Sequence, residues 1–262
     1  MRLALGICYR GQGYNGWQSQ PDGRTVQDHL EQALSQFADT PVRTMCAGRT
    51  DTGVHGLNQV IHIDPPVQRE MASWVRGTNR YLPADIAVQW CQEVGGDFHA
   101  RNSAQGRRYV YVLLESVVRP AIESGAAGWV FRPLRAEAMR DAADVLIGEH
   151  DFSAFRSSEC QAASPVKLMR AIAISRVGAY WRFDFDGSAF LHHMVRNIMG
   201  CLVAIGSGQK SPAWMGEVLA SRSRVAAAPT FPADGLYFVG PYYDPRFAIP
   251  SHTPAMDWLP RP

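Results

Sequence analysis

The spacing of apolar positions divides the chain into elements. Residues 2–9 alternate apolar and polar positions with the period of a strand, and a glycine-rich loop over 11–23 follows. Thr25 stands where a helix N-cap belongs and Asp28 where a capping box closes, while Val26, Leu30, Ala33, Leu34 and Phe37 recur at helical spacing. Residues 42–47 read as a second strand, 48–56 as a tight polar loop and 59–63 as a third strand. A helix is predicted over 70–79, ending before Pro83, and a strand over 86–94. The order is β-α-β-β-α-β.

Beyond residue 101 the pattern starts afresh. Strands are predicted over 108–114 and near Trp129, a helix over 135–147, strands over 169–177 and 180–185, and a strongly periodic helix from about 190 to 205. A weaker helix over 214–221 and a strand over 236–241 complete the series. Strands and helices alternate without the long crossovers of a parallel sheet, so the expected fold class is α+β, with two sandwiches of mainly antiparallel sheets. The expected domains are 1–100 and 101–249, joined within 95–106. Residues 250–262 hold four prolines and no periodicity, as a surface tail does.

Composition narrows the field. With 262 residues and 46% hydrophobic content, the chain has enough apolar material for two cores without covalent staples. Its five cysteines are spread along the sequence with no C-x-x-C pair, which points to reduced, mostly buried thiols rather than a zinc site or disulfide framework. No apolar run reaches membrane-spanning length and the first residues do not resemble a signal peptide, so a cytoplasmic location without a membrane partner is expected. The formal charge of +2 is too small to argue for nucleic acid by itself.

Three segments carry candidate chemistry. In Gly48-Arg49-Thr50-Asp51-Thr52-Gly53-Val54-His55 a carboxylate sits between glycines that let the backbone present it, beside an arginine able to hold it ionised. A turn or cap is the alternative role for Asp51. In Arg107-Arg108-Tyr109-Val110-Tyr111 basic residues adjoin two aromatics on one strand, a pattern that serves either phosphate contact beside a base-stacking platform or an ordinary half-buried strand. In Phe190-Leu191-His192-His193-Met194-Val195-Arg196-Asn197, adjacent histidines on a helix diverge by about 100°, which disfavours joint metal binding and with it a metal-dependent hydrolase. On that reading His193, Arg196, Asn197 and Gly200 form a polar stripe, where a buried arginine needs an anionic partner.

The Gly48 to His55 segment closely resembles the catalytic motif of TruA-type pseudouridine synthases. Tyr14-Asn15-Gly16-Trp17-Gln18, Asp97-Phe98-His99-Ala100-Arg101, the Arg107 to Tyr111 segment, His192 to Asn197 and Gly235-Leu236-Tyr237 resemble further motifs of that family in its order. The resemblance spans residues 14 to 237. Thr52 departs from it, since alanine is common there.

This resemblance implies that Asp51 is the catalytic nucleophile, flanked by Arg49 and Arg196, that Tyr109 contacts the uracil and that Leu236 lies beneath the base. It implies two RNA-binding-like βαββαβ domains with the catalytic cleft between them, no metal and no cofactor. It further implies a homodimer that modifies uridines 38, 39 and 40 in the anticodon stem-loop of tRNA. Arg101, Arg107 and Arg108 are expected on the RNA backbone. Attack at C1′, attack at C6 and help in removing the C2′ proton are three roles open to Asp51. The competing expectation is a non-catalytic RNA-binding protein that uses Tyr109 and Tyr111 as its platform.

Overall fold

The computed structural model describes residues 1–250, so the part of the expected tail over 251–262 lies outside the described residues. The fold is mixed α/β with mostly antiparallel strand pairing and, among the described residues, five α-helices. None of these is long and apolar enough to cross a membrane. Among the described residues the chain divides into two compact units, one holding Met1–Arg107 and residues 237–250, the other Arg108–Leu236.

The first unit is built on β1 (Arg2–Tyr9), β2 (Met45–Cys46), β3 (His55–Ile63) and β4 (Ile86–Val94), with α1 (Val26–Ala38) and α2 (Met71–Asn79). β1 lies between β4 and β3, antiparallel to both, in a register that sets Leu3 against Ile63 and Leu5 against Ile61. The capping box forms as its residues dictate: Thr25 accepts from the Asp28 amide at 3.2 Å. From that start α1 turns Val26, Leu30 and Leu34 onto Leu3, Leu5 and Ile7, where Trp74 of α2 joins them.

β1 departs from the expected alternation, because Leu3, Ala4, Leu5 and Ile7 are all fully buried. Helices cover one face, while Ala4 on the other packs with Val60, Phe98 and Ala100 beneath Tyr243 and Phe247. A strand covered on both faces reads as a continuous apolar run. The covering residues come from β10 (Leu236–Tyr243) and the turn after it, and β10 pairs in parallel with β3, Tyr237 opposite His55. A strand near the end of the sequence thus completes the unit that its beginning starts.

The second unit contains β5 (Ala104–Glu115), whose first residues belong to the first unit, then β6 (Gly128–Val130), β7 (Gly148–Asp151), β8 (Val166–Val177) and β9 (Tyr180–Gly187). Its strand order is β5-β9-β8-β7, with β6 parallel to β5. β9 alternates as a one-sided strand should, burying Trp181, Phe183 and Phe185. Its helices are α3 (Ala136–Asp144), α4 (Met194–Gly206) and α5 (Trp214–Ser221). α3 and α4 approach closely at Gly206, where a Cβ would sit 2.7 Å from the Met139 sulfur.

β7 had no counterpart in the sequence pattern, and the strand expected over 42–47 shortens to two residues. α4 begins at Met194, four residues later than expected, because His193 adopts a left-handed conformation at φ 63° and caps the helix instead of joining it. Of the five cysteines only Cys201 is fully buried, and the other four are half-buried.

Candidate active site

Asp51 opens a four-residue turn. The Val54 amide donates to the Asp51 carbonyl at 3.1 Å, and Gly53 takes φ 83° at the third position. This is the signature of a type II turn, which calls for glycine at that place. The carboxylate is half-buried, while Arg49 and Thr52 are exposed and Thr50 is buried.

Long-range contacts within the first unit fix this loop. The Thr50 hydroxyl meets the Tyr9 hydroxyl at 2.8 Å, and the Thr50 carbonyl accepts from the Trp17 amide at 3.0 Å. Gly48 and the Gln59 side chain exchange two hydrogen bonds. At the end of the loop, His55 accepts from the Gly11 amide through Nδ1 at 3.2 Å and stacks on Tyr237, ring centroids 4.6 Å apart. Burial pushes the Tyr237 hydroxyl up to about 12, so it stays protonated and neutral at physiological pH.

Two glycines allow the loop to be gripped so closely. A Cβ on Gly11 would collide with the Val54 carbonyl, and one on Gly16 would lie 2.7 Å from the Thr50 carbonyl oxygen. Gly16 also takes φ 81°, a conformation only glycine adopts freely. The sequence shows both glycines but not their contact with the Asp51 loop. Tyr9, Gln59 and Gly11 are positioning residues of the loop that the sequence reading missed.

Arg107 is a further element of support. Its guanidinium donates to the carbonyls of Arg101 at 2.7 Å, Ala47 at 3.1 Å and Ala104 at 3.4 Å, tying the residue before the loop to the start of β5. Arg101 is exposed. Burial raises the Cys46 thiol to about 11 against the opposing pull of Arg49 and Arg101, so both arginines lie within electrostatic reach of one thiol.

The second unit carries the other candidates. On β5, Arg108 and Tyr109 are half-buried, and the Tyr109 ring meets Phe190 edge-on at 5.0 Å. Tyr111, two residues on, is fully buried: its ring packs on Phe231 and its hydroxyl donates to the Pro232 carbonyl at 2.9 Å. It therefore offers no stacking surface, which corrects the expectation of a paired platform.

Arg196, in the first turn of α4, is clamped to residue 231. Its Nε donates to the Phe231 carbonyl at 2.8 Å, and the Phe231 amide returns a bond to the Arg196 carbonyl at 3.1 Å. The expected polar stripe dissolves: Asn197 is fully buried and bonded to the Phe155 carbonyl, and Gly200 lies against the Pro229 carbonyl. His192 and His193 precede the helix, and their ring centroids lie 4.1 Å apart. Their supposed divergence rested on a helical geometry that the chain does not have. Leu236 is buried at 4% exposure.

Comparison with known proteins gives these residues a context. A family model described as tRNA pseudouridine synthase matches residues 7–102 and 142–244. A tRNA pseudouridine synthase A of Methylibium petroleiphilum is 70% identical, covering 99% of this chain and 100% of that protein. Another, from Polaromonas naphthalenivorans, is 63% identical with the same coverage. Among solved structures, a Cbf5-Nop10-Gar1 complex covers 86% of this chain and 69% of its own at 11% identity and a TM-score of 0.34, a likeness too distant to bear on chemistry. Full-length identity at this level, with a family match on both sides of the Asp51 loop and across α4, establishes that the chain belongs to the tRNA pseudouridine synthase family.

Proposed function

We propose that this chain isomerises uridine to pseudouridine at positions 38, 39 and 40 of the tRNA anticodon stem-loop, with Asp51 as the nucleophile. The reaction breaks the N1–C1′ bond, turns the uracil and joins C1′ to C5. The proton lost from C5 is matched by one gained at N1, so the chemistry balances with no cofactor. An ionised carboxylate held in a fixed direction is the group this reaction asks for. The observation that carries the reading is the anchoring of the Asp51 turn by Tyr9, Trp17, Gly16 and Gln59 in a chain of this family.

In this proposal Arg49 and Arg196 supply positive charge that favours the Asp51 carboxylate, Tyr109 contacts the extruded uracil and Leu236 supports it from below. Arg101, Arg107 and Arg108 bring charge to the RNA backbone, Arg107 from a side chain whose donors also hold three main-chain carbonyls. We further propose that the two units are RNA-binding-like sandwich domains, that the chain forms a homodimer and that its setting is cytoplasmic.

The test is pseudouridine mapping on an unmodified tRNA transcript. Wild type is expected to form product at positions 38–40, whereas Asp51→Asn forms none and binds tRNA with a Kd within about threefold of wild type, since a single uncharged isostere removes the reacting group and little binding. Product from the variant would overturn the assignment of Asp51. Binding without product from wild type would favour the non-catalytic reading, against which the burial of Tyr111 already argues.

A further inference from the structure

The second unit contains a cleft of about 510 Å³ that no step of the proposed reaction uses. Arg156, Arg224 and His193 line it together with the hydroxyl side chains of Ser157, Ser158 and Thr230, and among the described residues no carboxylate lines it. Its volume falls within the range of small-ligand sites, roughly 300–1,000 Å³.

Both guanidinium groups are fixed by the fold yet keep donors to spare. Arg156 donates only through Nη2, to the carbonyls of Cys160 at 2.6 Å and Ala162 at 3.0 Å. Arg224 donates through Nη2 to Asn197 Oδ1 at 3.1 Å and Thr230 Oγ1 at 3.0 Å, and its Nη1 reaches the Ala227 carbonyl at 3.5 Å. Among the described residues neither arginine is ion-paired with a carboxylate, whereas nearby Arg222 reaches Asp151 at 3.5 Å. Two like charges in one cleft repel each other, and an anion relieves that repulsion.

The cleft also lies at the N-terminal end of α4, a thirteen-residue helix whose dipole presents partial positive charge there. His193, the N-cap, makes no side-chain capping bond. Thr230 adjoins Phe231, the residue clamped to Arg196, so the cleft neighbours a residue assigned to the reaction. The Thr230 hydroxyl is committed to Asn197 Oδ1 at 2.7 Å, but planar forks of N–H donors combined with the Ser157 and Ser158 hydroxyls suit a tetrahedral oxyanion.

We propose that this cleft binds a backbone phosphate of the tRNA, on a nucleotide flanking the one that reacts. The inference rests on the tRNA-modifying reading above. Ser158 is exposed, so Ser158→Glu brings a carboxylate to the cleft without disturbing the bonds that hold either arginine, and Ser158→Gln controls for size.

Filter binding of tRNA transcript across a salt series, with turnover measured in parallel, tests it. Ser158→Glu is expected to raise Kd about tenfold and to reduce the slope of log K against log salt by about one, the signature of one lost phosphate contact. Ser158→Gln, which loses one hydroxyl but adds no charge, should shift Kd less than Ser158→Glu and keep the wild-type salt slope. If wild type converts tRNA while Ser158→Glu keeps the same Kd and salt slope, the cleft assignment falls and the function stands. An unchanged Kd together with stabilisation of wild type, but not Ser158→Glu, by inorganic phosphate would assign the cleft to a free anion instead. A wild type that neither binds nor converts tRNA overturns both proposals.

Discussion

Gly16 shows how much a single residue decides. At φ 81°, with the Thr50 carbonyl 2.7 Å from where its Cβ would stand, it is the point where the 11–23 loop grips the loop carrying Asp51. Gly16→Ala strains the backbone by about 1 kcal/mol or more and pushes the Asp51 loop outward. The expected outcome is a kcat lowered tenfold or more with KM within about threefold, because a misplaced reacting group costs rate more than binding. Gly13, with open space around its Cβ position, is the control, and Gly13→Ala should leave both constants unchanged. Equal effects from the two substitutions would remove the argument. The Asp51 turn was readable from the sequence, since Gly53 and its neighbours fix local geometry. The contact with Gly16 was not, because thirty-five positions separate the two and nothing in the local pattern of either reports the other.

At the scale of elements, β5 carries three residues that look equivalent in the sequence and have different lives in the fold. Arg107, Tyr109 and Tyr111 alternate along one strand and were all candidates for RNA contact. Arg107 spends donors on main-chain carbonyls, Tyr109 stays half-buried, and Tyr111 is sealed between Phe231 and the backbone at Gly128 and Gly235. Tyr111→Phe removes a buried hydroxyl bond worth about 1 kcal/mol, which should lower Tm by about 2–4 °C. It should leave tRNA affinity untouched. An affinity loss as large as that of Tyr109→Ala would restore the two-tyrosine platform. α4 teaches the same lesson: helical periodicity located it, but the left-handed turn at His193 that sets its start has no periodic signature.

For the whole molecule, the order of elements along the chain differs from their order in the packing. The first unit begins at residue 1 and is completed by β10 from Tyr237 on. Tyr243 donates to the Ala100 carbonyl at 2.7 Å, and Phe247 packs on Phe98 at 5.3 Å, so these late residues cover the second face of β1. A chain ending at Leu236 is expected to lose the cooperative melting transition of the first unit and to become sensitive to protease across β3 and β4. An unchanged melt would mean that residues 1–107 are self-sufficient. The sequence by itself determined the α1 capping box, nearly every helix and strand, the turn at Asp51 and, through full-length identity, the family. These depend on dihedral preferences and periodicities expressed within a few residues, or on residues compared one by one. Only the tertiary structure decided that β10 joins β3, that both faces of β1 are covered, that Tyr111 is core and that Gly16 meets the Asp51 loop. Each of these is set by burying apolar surface and satisfying backbone groups between segments far apart in the chain, a free-energy balance that no local window contains.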